Sequence, residues 1–477
     1  MVNKIYNLKF IIIIFLSLIL VLLDFSKLGF FADDISLIYY LNQGPSISQL
    51  IKSLETFDAG RYFQIFNVYF FLKLSNLFGL ETIHFFQIVI YFINSLILIN
   101  ILNILDIKKS IIVLSWIFII FFNLNSEVVF WTHNLGMTLL ASTSFLLFLS
   151  LNLKLSNNLH INKNIYYELL ILLLSIYSIL TYEQYIYGFY FIILIRSVVL
   201  FKSNKKIYSF LLFFLYSILI VTFSLYKVFM MKGLNLDINL IPKNILLNIF
   251  NSILIPIKST ISPASIDSFN IRNILLFSLI NFLIFRYIFK NQIKNKNDYL
   301  TSKSKETLLK IIFFILLYFF TIFPLFFHYL SPRHFYLPSF FLIISVGLIF
   351  KFINQKRLIK QKNLKKYVLI LFFIILTNNF IKFDSYKYQQ INNYELKINF
   401  YKEINEKFSY AKSINLINFP NSLSNVTFFA HEQGDALKFL FGSNSPSISK
   451  DQPMELYKVS IKFKKILNEK IIYELTN

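Results

Sequence analysis

At 477 residues, with 56% hydrophobic and 19% aromatic side chains and a mean hydropathy of +0.61, the chain is too apolar to fold around one soluble core. We therefore predict an all-α polytopic membrane protein. The net charge of +23 would favour nucleic acid as the partner of a soluble domain, but the lysines fall in short polar gaps between apolar segments, where they set membrane orientation. We expect no nucleic-acid binding.

Several classes of site are excluded by residues that the sequence lacks. There is no cysteine, which excludes disulfides, thiolate metal sites and cysteine nucleophiles. The 6 histidines show no H-x-x-x-H or H-E-x-x-H spacing, which argues against a zinc site. No G-x-x-x-x-G-K-[ST] sequence is present, so the chain has no P-loop of its own for ATP hydrolysis.

The first apolar segment starts at Phe10 and runs to about Phe31. It has basic residues before it but no small-x-small cleavage site after it, so we expect an uncleaved first helix. It leads directly into Asp33 and Asp34. Each carboxylate would cost roughly 2.5 to 3.5 kcal/mol at a bilayer centre, so the pair is expected just outside the hydrocarbon, in a first outer loop of residues 32–83.

This loop contains a polar connector that ends in Gly60-Arg61-Tyr62. The stretch that follows, Phe63 to Leu80, is apolar but interrupted by polar residues, which favours a helix lying on the membrane surface or dipping into it. We do not count it as a span.

Ten further apolar segments follow, and with the first helix they predict about eleven spans of roughly 20 residues each. They are His84 to Leu105, Ser110 to Leu124, Leu135 to Leu153, Tyr166 to Thr181, Tyr185 to Phe201, Ile207 to Met231, Arg272 to Phe289, Leu308 to Phe327, Phe335 to Phe350 and Tyr367 to Ile381. The stretch from Asn244 to Ile257 fits either another surface helix or half a span.

The basic residues give the orientation. Under this count the lysine-rich gaps, from Lys108-Lys109 to Lys365-Lys366, all fall on one side, which the positive-inside rule assigns to the cytoplasm. In the short gaps on the other side the single basic residue is Arg333. We therefore predict a multi-pass protein of a membrane such as the bacterial inner membrane, with the acidic pair on the extracytoplasmic face.

After Ile381 the composition becomes polar. This shift predicts two domains, a transmembrane module of residues 1–381 and a soluble extracytoplasmic α/β domain of residues 382–477. In the second we expect a helix near Asn392 to Ala411 and a strand near Asn425 to Ala430, followed by basic-apolar alternation from Tyr457 onward. This domain contains no recognisable catalytic motif.

Polar side chains in the short outer gaps are candidates for a binding site. Each also has an ordinary interpretation: Trp131 and Tyr182 as interfacial aromatics, Glu183 as a solvated turn residue, Arg333 as a snorkelling helix-end residue. Carboxylates and an arginine from distant segments on one face nevertheless indicate a composite site. Its outer-gap members are Glu127, Trp131, His133, Glu183, Gln184, Arg333, His334 and Tyr336.

These motifs and their order make the sequence resemble the GT-C superfamily of polytopic glycosyltransferases, in the branch of protein O-mannosyltransferases and their tetratricopeptide-repeat relatives. The matching features are Asp33-Asp34 after the first helix, Gly60-Arg61-Tyr62, the gap from Glu127 to Asn134, Tyr182-Glu183-Gln184 and Arg333-His334-Phe335-Tyr336-Leu337-Pro338. The chain departs from relatives at Gly60-Arg61-Tyr62, where Arg-Pro is frequent, and its tail shows no helical repeat.

The resemblance implies transfer of a sugar from a polyprenyl-phosphate donor to a glycan, lipid or protein acceptor. That chemistry needs a base for the acceptor hydroxyl and positive charge for the leaving phosphate. Asp33 or Asp34 would be the base, and a divalent cation, if one is used, would bind the same pair. Arg61 and Arg333 would bind phosphate, since guanidinium contacts two oxygens at once. The remaining substrate-binding candidates are Tyr62, His133, Glu183, Gln184, His334 and Tyr336.

Two other functions stay open from the sequence. A lipid-linked sugar flippase or an ion-coupled transporter would use the carboxylates as proton or cation sites, but it predicts charges buried in the middle of spans. A non-catalytic scaffold for envelope polymer assembly would use none of them. The sugar, the acceptor and the linkage are not encoded in any motif of the chain.

Overall fold

The computed structural model describes part of the chain in atomic detail. It covers residues 8–29, 46, 48–49, 62–75, 77–79, 81–131, 134–157, 165–202, 206–230, 241–262, 272–273, 275–280, 283, 304–327, 332–355, 362–420, 422–423, 426–427, 436–441, 445–450, 459–467 and 470–476.

The described part is mostly helical, with a small sheet near the C-terminus. Its α-helices are α1 (Leu8–Leu22), α2 (Tyr62–Ser75), α3 (Thr82–Ile104), α4 (Lys109–Ile120), α5 (Ser126–Phe130), α6 (Leu140–Asn157), α7 (Ile165–Thr181), α8 (Ile186–Lys202), α9 (Lys206–Met230), α10 (Ile241–Ile261), α11 (Ser304–Ile322), α12 (Tyr336–Gln355), α13 (Lys362–Lys407) and α14 (Ala436–Phe441). Its strands are β1 (Ser413–Ile417), β2 (Ser422–Leu423), β3 (Val426–Thr427), β4 (Ser447–Lys450), β5 (Val459–Leu467) and β6 (Lys470–Thr476).

Several helices are long and apolar enough to cross a membrane, which supports the prediction of an integral membrane protein. Within the described ranges there are 5, namely Thr82–Ile104, Leu135–Leu155, Lys206–Phe223, Ser304–Leu325 and Arg333–Ile353. The count is up to 6 if Lys109–Ile120 and Asn123–Phe130, which meet at a 46° bend, form one span.

The predicted number of about eleven spans is not reached among these helices. Tyr166–Thr181 is apolar but shorter than a full span. Most of the predicted span from Arg272 to Phe289 lies outside the described residues, and the one from Tyr367 to Ile381 is part of the much longer α13. The eleven-span count therefore remains a prediction.

The helical bundle is held together by large aromatic side chains whose polar atoms are satisfied internally. Tyr91 and Trp116 are fully buried. The Tyr91 hydroxyl donates to the Ile119 carbonyl at 2.6 Å, and the Trp116 indole donates to the Ser95 hydroxyl at 2.9 Å. In a bilayer no water would replace these partners, so the internal hydrogen bonds fix how α3 and α4 pack.

The two ends of the bundle differ in chemistry. At one end, which we call the lysine end, Lys351 donates to the Leu105 carbonyl at 2.7 Å, and Arg196 pairs with Glu168 with a nitrogen-oxygen distance of 3.0 Å. At the other, the short-loop end, three turns lie close together: Asn123–Asn125, Glu183–Tyr185 and Pro332–Phe335. These are the gaps predicted to share one membrane face.

Helix α2 is the predicted surface helix, and its polar residues Gln64, Asn67 and Ser75 face the protein, whereas Lys73 is exposed. Asn67 donates to the Gly136 carbonyl at 3.0 Å and accepts from the Tyr177 hydroxyl at 2.9 Å. A Cβ on Gly136 would lie 2.8 Å from the Gln64 carbonyl oxygen and 2.5 Å from Val68 Cγ2, so only glycine permits this approach. Two of the polar residues behind the surface-helix prediction, Gln64 and Asn67, therefore dock α2 onto the π-helical turn Leu135–Leu139.

Helix α13 runs without a break through the predicted domain boundary at residues 381 and 382. It contains no glycine or proline in its 46 residues, so nothing in the backbone interrupts the helical hydrogen bonds. At about 1.5 Å per residue it extends about 69 Å. The shift from apolar to polar composition after Ile381 thus lies inside one continuous helix, and the division into two domains remains a prediction.

The C-terminal strands form a four-stranded mixed sheet in the order β4-β1-β5-β6. β1 is parallel to both β4 and β5, and β6 pairs with β5 in an antiparallel hairpin. The sheet packs against the end of α13, where Phe400 contacts Tyr473 of β6 with ring centroids 5.6 Å apart. The predicted strand near Asn425 to Ala430 is the short β3, which pairs with β2 outside the main sheet.

Candidate functional site

The candidate residues fall into three groups. Asp33, Asp34, Arg61 and His133 lie outside the described residues. For Tyr62 and Glu183 the structure gives the backbone position only: Tyr62 begins α2, and Glu183 begins a 3₁₀ turn. Side chains are described for Gln184, Arg333, His334 and Tyr336.

The centre of the short-loop end is an ion pair between Arg333 and Glu127. The Arg333 Nη1 lies 4.0 Å from Glu127 Oε1, and the two side chains are only 18% and 16% exposed. The guanidinium carbon is 4.9 Å from the ring centroid of Trp131, and Glu127 also accepts a hydrogen bond from the Arg333 backbone. Tyr386 of α13 lies close enough to interact electrostatically with both side chains. We call these four residues the Arg333 cluster.

Opposing electrostatic effects set the stability of this ion pair. At 4 Å and an effective dielectric constant of about 20 the attraction is on the order of 4 kcal/mol, while desolvation costs several kcal/mol per ion. The net contribution is therefore small. Removing one partner would leave the other charge largely buried and unpaired, which is much more costly.

Buried amides hold the backbone that carries Glu127 and Trp131. The Gln87 side chain of α3 donates to the carbonyls of Val128 and Trp131, at 2.7 and 2.6 Å. Gln390 of α13 donates to the Phe130 carbonyl at 2.7 Å. Two helices distant in sequence therefore fix this loop, which is the preorganisation that a binding site requires.

A second contact ties the turn containing Glu183 to the turn containing Arg333. The Gln184 side chain donates to the His334 carbonyl at 3.0 Å, and both residues are buried. The Gln184 side-chain oxygen accepts no hydrogen bond from the part of the chain that the structure describes. Two of the predicted substrate-binding residues, Gln184 and His334, are thus in direct contact, and their binding role remains a prediction.

Tyr336 lies deeper than the other candidates. It is fully buried, its hydroxyl oxygen accepts from the Asn94 amide at 3.0 Å, and its ring centroid is 5.9 Å from that of Tyr91. This position places Tyr336 in the core, beneath the Arg333 cluster. A bound substrate would contact it only after displacing these buried partners.

The described chain that leads toward Asp33 is clamped between α3 and α13. The buried His84 imidazole hydrogen-bonds to the backbone of Leu28. A Cβ on Gly29 would lie 1.8 Å from the Tyr394 ring, so the backbone rests directly on that ring. The last described residue before the acidic pair is therefore held by α13, the helix that also carries Tyr386 and Gln390.

A neighbouring polar network joins the end of α1 to α13. Asp24 accepts from the Arg272 guanidinium at 2.9 Å and from the Tyr388 hydroxyl at 2.7 Å. Burial alone would raise the pKa of Asp24, but the Tyr388 hydrogen bond and the nearby cations outweigh it, and the pKa is lowered. Burial lowers the pKa of Lys387, against the opposing effect of Asp384 at 3.4 Å.

The sequence interpretation missed this network. It gave Asp24 no role and used Arg272 only as the start of a predicted span. The spacing of Asp384, Lys387 and Tyr388, three and four residues apart, would have indicated one polar face on a helix. Tyr386, Gln87 and Gln390 were also missed, because no local pattern signals a contact between residues so far apart in sequence.

No group of three or more histidine, aspartate or glutamate side chains that could hold a metal ion occurs among the described residues. Asp33 and Asp34, the only metal candidates predicted, lie outside them. The metal prediction therefore stays a prediction.

Comparison with known protein families, with curated proteins and with solved structures found no match to this chain.

Proposed function

We propose that the protein is a membrane glycosyltransferase of the GT-C type, which moves a sugar from a polyprenyl-phosphate donor to an acceptor on the extracytoplasmic side. In this proposal the chain crosses the membrane about eleven times and the short-loop end faces outward. The acceptor is a glycan, a lipid or a protein of the cell envelope.

The observation that carries the proposal is the Arg333 cluster. A guanidinium held at 4.0 Å from Glu127, stacked over Trp131 and still 18% exposed is fixed in orientation yet open to a ligand. Guanidinium recognises phosphate through paired hydrogen bonds. The cluster lies at the end of the bundle to which the described chain before Asp33 also leads.

The start of α2 supports a second phosphate contact at the same end. Phe63, two residues after Arg61, packs against Tyr177 with ring centroids 5.1 Å apart. Tyr177 is in the last turns of α7, just before the turn that contains Glu183 and Gln184. Arg61 therefore precedes a residue anchored close to the proposed site.

The proposed reaction is a displacement at the anomeric carbon of the donor. Asp33 or Asp34 accepts the proton of the acceptor hydroxyl, whose oxygen bonds to the anomeric carbon as the bond to the phosphate oxygen breaks. The polyprenyl phosphate leaves with the bonding electrons, and Arg333 with Arg61 stabilises its charge. No further co-reactant is needed.

The placement of buried charges favours this proposal over a flippase or an ion-coupled transporter. Among the described residues, the Glu127–Arg333 and Asp384–Lys387 pairs lie toward the short-loop end, and the Glu168–Arg196 pair lies near the lysine end. None of them lies midway along a candidate span, where a coupling-ion site would be expected.

Mass spectrometry of envelope glycans from a deletion strain of the source organism tests the proposal. Loss of one glycan, restored by the wild-type chain but not by an Asp33→Asn, Asp34→Asn double variant, is the expected result. Unchanged glycans in the deletion strain, or full restoration by the double variant, would overturn it.

A further inference from the structure

Helix α10 carries an apolar stripe that the protein leaves uncovered. Seven large apolar side chains along one face are between 40% and 72% exposed, namely Leu246, Leu247, Phe250, Ile253, Leu254, Ile257 and Ile261. They recur every three or four residues, as one face of a helix requires. The stripe runs over most of the length of α10.

The opposite face of α10 is polar and docked onto the bundle. Asn248 donates to the Leu325 carbonyl at 3.4 Å, and the Ser252 carbonyl accepts from the Tyr318 hydroxyl. Asn248 and Ser252 are buried. The helix thus turns its polar side toward the protein and its apolar side away from it, the reverse of a helix on a water-soluble domain.

Side chains of α13 cap the C-terminal end of α10. Lys382 donates to the Ser259 carbonyl at 2.6 Å, and Asn378 donates to the Thr260 carbonyl at 3.2 Å. The last carbonyls of a helix have no intrahelical partner and attract positive charge. These contacts satisfy them and fix the end of α10 against α13.

The contact points show that α10 runs across the bundle. Tyr318 lies in the last turns of α11, and Leu325 lies in the 3₁₀ turn that follows it. Asn123, which donates to the Ser259 hydroxyl at 3.3 Å, follows the end of α4. These ends belong to the short-loop end. A second span packed along α11 would instead contact it over many turns. The apolar part of α10, Ile245–Ile261, is about 25 Å long, shorter than the roughly 30 Å of a hydrocarbon core.

We propose that α10 lies in the bilayer interface at the short-loop end, with its apolar stripe in the acyl chains of one leaflet. The candidate span α11, whose end α10 contacts, also exposes large apolar side chains, namely Leu309, Ile312 and Leu316. The sequence of α10 contains two lysines and no acidic residue, which suits the phosphate headgroups of lipids. This inference holds whether or not the chain is a glycosyltransferase.

Depth-dependent fluorescence quenching tests the inference. The chain has no native cysteine, so single cysteines at Leu246, Phe250 and Ile257 can each carry one fluorophore. The protein is reconstituted into phosphatidylcholine vesicles containing lipids with a nitroxide either near the headgroup or near the acyl-chain end. Helix α9 is the control, with cysteines at the exposed positions Ile207, Phe214 and Val221.

In α10 the ratio of shallow to deep quenching should be the same at all three positions and should favour the shallow nitroxide. In the candidate span α9 the ratio should change steadily with position. A steady change along α10 would make it a span and overturn the inference. The inference would also be overturned if neither nitroxide quenched these positions, because they would then face water or be covered by a second copy of the chain.

Discussion

At the scale of single residues, substitutions of Arg333 distinguish a role at the membrane interface from a role in ligand binding. Snorkelling needs only a long cationic side chain, so Arg333→Lys would then be nearly silent. Phosphate binding needs the planar guanidinium, so lysine should lose part of the donor affinity and Arg333→Ala most of it, by about 1.5 to 3 kcal/mol. Binding of polyprenyl phosphate to the detergent-solubilised protein measures this. Equal affinity of Arg333→Ala and the wild type would return Arg333 to the membrane interface.

Glu127 should weaken the binding of polyprenyl phosphate, whereas Arg333 strengthens it. Its carboxylate lies beside the proposed phosphate position, so Glu127→Gln removes a repulsion on the order of 1 kcal/mol and should tighten polyprenyl phosphate binding about fivefold. The matched control is Glu168→Gln, which removes the partner of Arg196 at the lysine end. Both variants should melt at a lower temperature, because each leaves a buried arginine without its counter-charge.

If Glu127→Gln and Glu168→Gln weaken stability alike and neither changes the affinity for polyprenyl phosphate, the Glu127–Arg333 pair is structural only. Weaker binding by Glu127→Gln, with no effect of Glu168→Gln, would also contradict the predicted sign.

The sequence could identify residues of the Arg333 cluster but not how they contact one another. Arg333 is conspicuous because the short gaps otherwise lack positive charge, and Glu127 and Trp131 share one such gap. That Glu127 pairs with Arg333, some 200 residues later, follows from how α5 packs against the turn Pro332–Phe335, which no local pattern encodes. Tyr336 stands in the same motif as Arg333, yet its hydroxyl bonds to Asn94 in the core.

At the scale of elements, the docking of α2 depends on one glycine. Gly136→Ala would bring a methyl group within 2.8 Å of the Gln64 carbonyl oxygen, a backbone atom that cannot move without α2. Overpacking of this kind costs about 1 to 3 kcal/mol. We expect a lower melting temperature in detergent, together with weaker polyprenyl phosphate binding, because Arg61 directly precedes α2.

Gly347→Ala is the control for this variant. The nearest atom to its added methyl group would be Ile107 Cδ1 at 3.2 Å, the far end of a flexible side chain, so the melting temperature should change little. Equal melting temperatures for Gly136→Ala and Gly347→Ala would show that the close approach of α2 is not needed.

The sequence predicted which helices exist better than it predicted where they end and what they pack against. Apolar runs indicated the helices of the bundle, whereas the composition shift at Ile381, which predicts a domain boundary, lies inside the continuous α13. Polar residues predicted that α2 lies on the membrane surface or dips into it, and they did not reveal that one of them, Asn67, bonds to Gly136 and Tyr177. A sequence pattern shows where a polar residue stands but does not identify the residue that it contacts.

At the scale of the whole molecule, the proposed orientation predicts which single cysteines a thiol reagent can reach from outside the cell. Cysteines replacing Asp34 and the exposed Tyr410 should react with an impermeant thiol reagent in intact cells. A cysteine at the exposed Lys108 of the lysine end should react only after lysis. Arg333→Cys should follow position 34, more slowly because the site is mostly buried. If position 34 is labelled in intact cells but position 333 only after lysis, both the predicted span count and the composite site are wrong.

Consumption of a lipid-linked sugar tests the central claim most directly. Membranes containing the wild-type chain, or its Asp33→Asn, Asp34→Asn double variant, are incubated with envelope acceptors and a panel of polyprenyl-phosphate hexoses and pentoses. Released polyprenyl phosphate is then measured. We predict that the wild type releases it from at least one donor, and that the double variant does so roughly 100-fold or more slowly while accumulating normally. Release from no donor by the wild type, or equal rates for both proteins, would contradict the account.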